Sequence, residues 1–354
     1  MTDLFLKLIT QREQNLPFVL YVKPHSERIV GLFQQNDHLY FLEDFKAKGF
    51  VFAPFDGSLI PIIPQNQSEV YVEKIQATDY ILSGNPTAVT DEVAKADFEK
   101  LVQKGVDAIA AGQFGKVVLS RKEIVPLSQW DLEVMFKKMI ALYPSAFRYC
   151  FFHPKIGLWM GATPEQLLKV NQKELQTVAL AGTQTASESQ KVVWHDKEIE
   201  EQHFVSEFII AGLEQEVSAM TVSSPYSAKA GHLWHIKTDI TATLKSQKAL
   251  GKVIAILHPT PAVCGLPKDK AKAFILEHEG YDREYYSGFL GELNIDLATF
   301  RTNVSDLYVN LRCMKVRPHA AELFVGCGIT QSSIPADEFA ETVHKSMTMK
   351  KVLN

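Results

Sequence analysis

Tyr308-Val-Asn-Leu-Arg-Cys-Met-Lys-Val316 alternates in character, so that as a strand it sets Tyr308, Asn310 and Arg312 on one face and Val309, Leu311 and Cys313 on the other. A strand with two unlike faces belongs to an antiparallel sheet, because parallel strands are covered on both sides and read as continuous apolar runs. Lys116-Val-Val-Leu-Ser-Arg-Lys-Glu-Ile-Val125 leads into Pro126 with Lys116, Val118 and Ser120 on one face. Upstream, short apolar runs at 18–22, 38–42 and 50–52 are cut by Pro17, Gly31, Pro54, Gly57, Pro61 and Pro64, and read as strands and turns. Helical spacing appears at Val93, Phe98, Leu101, Val102, Val106 and Ile109. Two further helices are predicted over about 195–216, opening near Asp196, and about 337–351, after Pro335. Beyond residue 110 strands and helices follow no regular βαβ order, which predicts an α+β fold with antiparallel sheets. Turn-like composition at Ser83-Gly-Asn-Pro-Thr sets a soft boundary that divides residues 1–90 from 91–354.

The 354 residues are enough to bury a sizeable core, as two domains or one extended α/β unit. Lys and Arg number 37 against 41 Asp and Glu, a formal net charge of -4. No summed positive field therefore favours nucleic acid or an anionic membrane. The 46% hydrophobic and 22% charged fractions exclude a mainly disordered chain or a fibrous repeat. Cys150, Cys264, Cys313 and Cys327 stand far apart with no Cys-x-x-Cys pair, so reduced buried thiols are expected rather than a zinc site or disulfide framework. The opening residues, with Asp3 and Lys7 interrupting the apolar run, suit neither a secretory signal nor an anchor. No apolar stretch nears the roughly 18 residues of a membrane span, and a cytoplasmic protein is expected.

Several chemistries lack their motifs. There is no complete dinucleotide glycine fingerprint, P-loop, His-Glu-x-x-His or Gly-x-Ser-x-Gly. His232 and His235 would sit on opposite faces of a strand, which argues against zinc. In Gly161-Ala-Thr-Pro-Glu-Gln-Leu-Leu, Thr163 as N-cap, Pro164 at the first helical position and Gln166 three after the cap predict a helix start. Glu165 then lies in the first turn, either complementing the helix dipole or acting as an acid whose pKa burial must raise against that dipole. Glu198, Glu201, Val205, Phe208 and Ile209 form one helical stripe, so an acid continues a core face and a cation would satisfy it; the alternative is a solvated first turn. Glu341 and Lys345 form an i,i+4 pair, ordinarily a solvent salt link. Lys116 and Arg312 could be cations snorkelling at a sheet edge. Ala181-Gly-Thr and Gly326-x-Gly328 read as glycine turns able to offer N–H groups to an anion.

Taken together, Lys116-Val-Val-Leu-Ser-Arg, Gly161-Ala-Thr-Pro-Glu, Leu180-Ala-Gly-Thr, Leu257-His-Pro-Thr-Pro-Ala-Val-Cys-Gly-Leu-Pro, Tyr281-Asp-Arg-Glu-Tyr-Tyr-Ser-Gly and Gly326-Cys-Gly-Ile resemble, in the same order, the motifs of the chorismate-utilising enzymes, and among these the isochorismate synthases of menaquinone or siderophore type. The resemblance covers about residues 92–354, with 1–90 corresponding to the family's variable N-terminal part. It implies two packed antiparallel sheets flanked by helices and a Mg²⁺-dependent site for chorismate. Lys116 matches the base that activates water, and Glu165 the acid that protonates the leaving C4 hydroxyl. Glu201 and Glu341 match the Mg²⁺ ligands. Gly182, Arg312, Gly326, Gly328 and Lys345 match substrate-binding positions. Near pH 8 such a base needs its lysine pKa lowered from about 10.4, at a cost of roughly 3 kcal/mol.

The resemblance also separates sister activities. Ala181 stands where the aminodeoxychorismate synthases carry a lysine nucleophile, and the Leu-His-Pro-Thr-Pro-Ala run belongs to the water-using branch. Water is thus the expected nucleophile, with no glutamine amidotransferase subunit, and a monomer is compatible with that. Salicylate synthases share the lysine and the acid but go on to eliminate pyruvate, and they remain the alternative. A non-catalytic chorismate-binding protein is disfavoured by the presence of both proton-transfer residues. Where relatives usually read Glu-His, this chain reads Glu200-Glu-Gln-His. Flanking Lys197 and Val205 set the register, making Glu201 the ligand and Glu200 the fallback, with Asp196 and Glu198 in support.

Overall fold

The computed structural model describes residues 3–76, 91–185, 192–230 and 233–354. Within them the strands form two large sheets in which every pairing is antiparallel, as the two-faced strands predict. One sheet runs, in spatial order, Gly265–Leu266, Lys116–Pro126, Ala320–Ile329, Cys313–Val316, Gly157–Thr163, Phe147–His153, Phe18–Val22, Arg28–Gln34 and Ser68–Lys74. The other runs Val217–Val222, Leu233–Leu244, Glu174–Thr185, Gln166–Asn171, Val304–Val309, Phe289–Leu293, Gly49–Ala53, Pro61–Pro64 and Tyr40–Phe41, with Tyr226–Ala230 also paired to Leu233–Leu244. Strands from the first 76 residues are built into both sheets. The boundary expected at Ser83–Thr87 falls outside the described residues.

The inner faces meet in an aromatic core. Val19, Tyr21, Tyr149 and Trp159 of the first sheet pack with Phe50, Phe52, Leu290 and Tyr308 of the second. Phe52 stacks on Phe151 at 4.2 Å between ring centroids, and Phe147 on Tyr308 at 4.3 Å. Such rings contribute about 0.5–1.5 kcal/mol per pair beyond the area they bury.

Helices cover the outer faces. Asp3–Glu13, Glu92–Ala110, Leu132–Leu142, Lys268–His278 and Pro335–Leu353 pack on the first sheet. Asp196–Leu213 and Ala249–Leu257 pack on the second. Asp91 caps its helix by accepting from the N–H groups of Val93 and Ala94. The helix predicted to end near 216 stops at Leu213, and the last one begins at Pro335, two residues before expectation. All four cysteines are buried free thiols. Among the described residues no helix is long and apolar enough to cross a membrane.

One polar cluster lies inside the sandwich. Lys23 is ion-paired with Glu292, lies 3.1 Å from Asp296 and 3.9 Å from Asp306, and Tyr21 donates to Glu292. Burial pushes the Glu292 and Asp306 carboxyls up, against the pull of Lys23. Three acids thus share one lysine.

Candidate active site

Two chain segments cross from one sheet to the other side by side, and each delivers a site residue. Gly157–Thr163 lies in the first sheet and Gln166–Asn171 in the second, so Pro164 and Glu165 form the link. The helix start expected here does not exist. Thr163 Oγ1 does accept from the Glu165 N–H at 3.3 Å, but it donates to Val309 O at 2.6 Å, and the Val309 N–H donates to Glu165 O at 2.9 Å. Backbone partners from a strand some 140 positions away in sequence outcompete the local cap, an outcome to which local propensity is blind.

The second crossing corrects the opening reading of 308–316. Val304–Val309 pairs in the second sheet and Cys313–Val316 in the first. Between them Asn310, Leu311 and Arg312 leave strand geometry, and Arg312 takes a left-handed φ of 47°. Tyr308, Asn310 and Arg312 therefore do not share the face of one strand. The break turns the Arg312 side chain into a cavity of about 320 Å³ that Glu165 also lines.

Lys116, Gly182, Glu201, Gly326, Gly328, Glu341 and Lys345 line the same cavity. Every sequence-predicted site residue is brought together there. Lys116 begins its strand and is ion-paired with Glu201 of helix Asp196–Leu213. Glu200, one residue earlier, is exposed and off the cavity, because the helical stripe through Val205 and Ile209 turns Glu201 inward. Lys197's side chain lies outside the described residues. Lys345 lies 2.5 Å from Glu341, whose side chain stays partly exposed, and its Nζ also donates to Gly326 O at 2.9 Å, so the pair stands in the cavity wall.

The glycines are not in turns. Gly182 sits at a bulge in Glu174–Thr185, with φ 67° and with Glu198 Cβ only 3.0 Å from where a Cβ would stand. Gly326 and Gly328 lie within Ala320–Ile329, opposite Ser120 and Val118. A Cβ on Gly326 would fall 2.7 Å from Leu119 O and 2.8 Å from Tyr286 Oη. Gly326→Ala is accordingly expected to cost about 1–3 kcal/mol, read as a lowered Tm.

Burial raises the Glu165 carboxyl to about 7, against Lys116, Lys345 and Arg312, which all pull it down. No helix dipole opposes this rise, since there is no helix. Burial likewise lowers the Arg312 pKa. His235, whose strand was read correctly while His232 lies outside the described residues, places Nδ1 3.1 Å from Gly182 O and so braces the bulge from within the cavity wall. Sequence reasoning gave it no such role, and it missed Glu338. The signal for Glu338 was its place three residues before Glu341, on the same helical face.

Besides Glu165, the cavity wall carries four carboxylates from two helices, those of Glu198, Glu201, Glu338 and Glu341. Burial, then the neighbouring charge of Glu341, pushes the Glu338 carboxyl up. An oxygen-only donor set suits a hard cation. Among the described residues no group of three or more potential metal ligands converges.

Fold and site together define an enzyme of the chorismate-binding class. A family model described as chorismate binding enzyme matches residues 62–354, and the chain belongs to that family. It is 28% identical to the isochorismate synthase EntC of Escherichia coli, over 93% of this chain and 86% of that one. It is 30% identical to a salicylate biosynthesis isochorismate synthase of Pseudomonas aeruginosa, over 76% of this chain and 58% of that one. The solved structure of MenF, the menaquinone-specific isochorismate synthase of Escherichia coli, shares the fold with a TM-score of 0.78 at 21% identity, covering 96% of this chain and 89% of that one.

Proposed function

We propose that this chain is an isochorismate synthase, converting chorismate to isochorismate in the cytoplasm. The observation that carries the reading is a half-buried carboxyl whose pKa desolvation raises to about 7, Glu165, in the same cavity as a lysine, Lys116. Arg312, Lys345 and the N–H groups of Gly326 and Gly328 would bind the substrate's carboxylates, with Gly182 at the edge of the ring. Lys116 takes a proton from water as its oxygen bonds to C2. The ring double bonds shift, the C4–O bond breaks, and Glu165 gives its proton to the leaving hydroxyl, which departs as water. Water is added and lost, so the product is an isomer of the substrate.

Glu201 and Glu341 would hold Mg²⁺, with Glu198 and Glu338 behind them; when bound, the ion would neutralise the ring carboxylate. The route from substrate to product needs neither ammonia nor an amidotransferase subunit. Incubating the purified chain with chorismate, in Mg²⁺ and separately in EDTA, tests the reading by chromatography and a pyruvate assay. Isochorismate that forms in Mg²⁺ and falls by at least about 10²-fold in EDTA, without pyruvate, is the expected result. Pyruvate with salicylate would make the chain a salicylate synthase, and no turnover would overturn both readings.

A further inference from the structure

Arg312 holds a left-handed backbone conformation that costs an arginine strain and persists only where its surroundings over-determine it. The surroundings here are specific. Asn310, two residues earlier, is fully buried, and all four of its polar groups are used. Its N–H donates to Gly288 O at 2.8 Å and its carbonyl accepts from the Ser287 N–H at 2.9 Å. Its Nδ2 donates to Tyr285 O at 2.9 Å, and its Oδ1 accepts from the Tyr149 hydroxyl at 2.6 Å. The far side of the crossing is held as well. The Ala162 N–H donates to Arg312 O at 3.1 Å, and the Tyr149 ring packs where a Cβ on Gly161 would come within 2.7 Å of it.

An asparagine in this place could do no more than satisfy buried backbone groups, as most buried amides do. Its side-chain bonds, however, end on the Tyr285 carbonyl, next to the cavity-lining Tyr286, and on Tyr149, which packs against the strand before the Glu165 link. Both tie the crossing to the walls that Arg312 must face. We infer that Asn310 and Tyr149 are positioning residues for Arg312: their hydrogen bond holds the strained sheet-to-sheet crossing in the one conformation that presents the guanidinium to a substrate carboxylate. This rests on the proposed reading of the cavity as a chorismate site.

Tyr149→Phe removes the hydroxyl and keeps the ring, so it is the primary variant, with Asn310→Ala as the second. The dissociation constant of chorismate is measured calorimetrically in EDTA, where the metal-assisted reaction is held back, in the native and Arg312→Ala backgrounds. The expected result is about 3- to 10-fold weaker binding for Tyr149→Phe, matched by KM with kcat changed less than about twofold. In the Arg312→Ala background the same substitution changes binding less than about twofold, since coupled residues are not additive. Equal weakening in both backgrounds, or unchanged binding by Tyr149→Phe, would overturn the positioning role while leaving the chorismate reading intact. Failure of the unsubstituted chain to bind chorismate would overturn both.

Discussion

Glu165→Gln yields a chain that is more stable than the native one at pH 8 and turns chorismate over about 10²–10⁴-fold more slowly. The two effects come from one burial. Glu165 titrates at about 7 in the folded chain against 4.5 for an ordinary glutamate. Below pH 4.5 the carboxyl is protonated in both the folded and the unfolded chain and contributes nothing. Between 4.5 and 7 the folded chain holds the proton that the unfolded chain has released, so native stability falls as pH rises through this window. Above 7 the full deficit persists, about 1–3 kcal/mol after allowing for the cavity's opening to solvent. Glutamine never ionises and escapes that deficit, but it has no proton to give the leaving hydroxyl. Urea unfolding at pH 4.5 and pH 8, beside turnover of chorismate, checks both arms. Native-like turnover, or a loss of stability at pH 8, would sink the assignment. Lys116→Ala should lose turnover to a similar extent with the fold intact, because it removes the other proton-transfer group.

Lys23→Met is expected to be the more damaging substitution for the fold. It leaves Glu292, Asp296 and Asp306 inside the sandwich without the lysine that all three face. Removing one partner from a buried ion pair costs about 3–5 kcal/mol, because the stranded charge keeps its desolvation penalty. Burial already pushes Glu292 and Asp306 up, so as pH falls these acids protonate and the variant's deficit shrinks. Combining Lys23→Met with Glu292→Gln removes a charge from each side and should recover part of the loss even at pH 8. A midpoint in urea that matches the native chain at pH 8, or a deficit that grows on acidification, would contradict this account.

Much of the architecture was legible from local pattern. Alternation at 116–125 marked an antiparallel strand, and apolar spacing marked the helices that carry Glu201, Glu341 and Lys345. Those patterns repeat within a few residues and reflect which face each element buries. The choice of Glu201 over Glu200 rested on the motif register set by Lys197 and Val205, and the helical stripe through Val205 agrees with it by turning Glu201 toward the cavity. The co-linear motifs pointed to one cavity before its walls could be seen, and the cavity does gather the residues they named.

What the sequence determined by itself was therefore the kind of those elements whose pattern repeats over many residues, the face they bury and the family the chain belongs to. Only the tertiary structure decided where the chain changes sheets. Thr163-Pro-Glu165 has the local signature of a helix start, and 308–316 that of one unbroken strand, yet both are crossings. Their backbone partners come from each other across about 140 residues: Val309 bonds to Glu165, and Ala162 to Arg312. The raised pKa of Glu165 and the presentation of Arg312 both depend on that meeting, because burial and charge at a point in space depend on which segments arrive there.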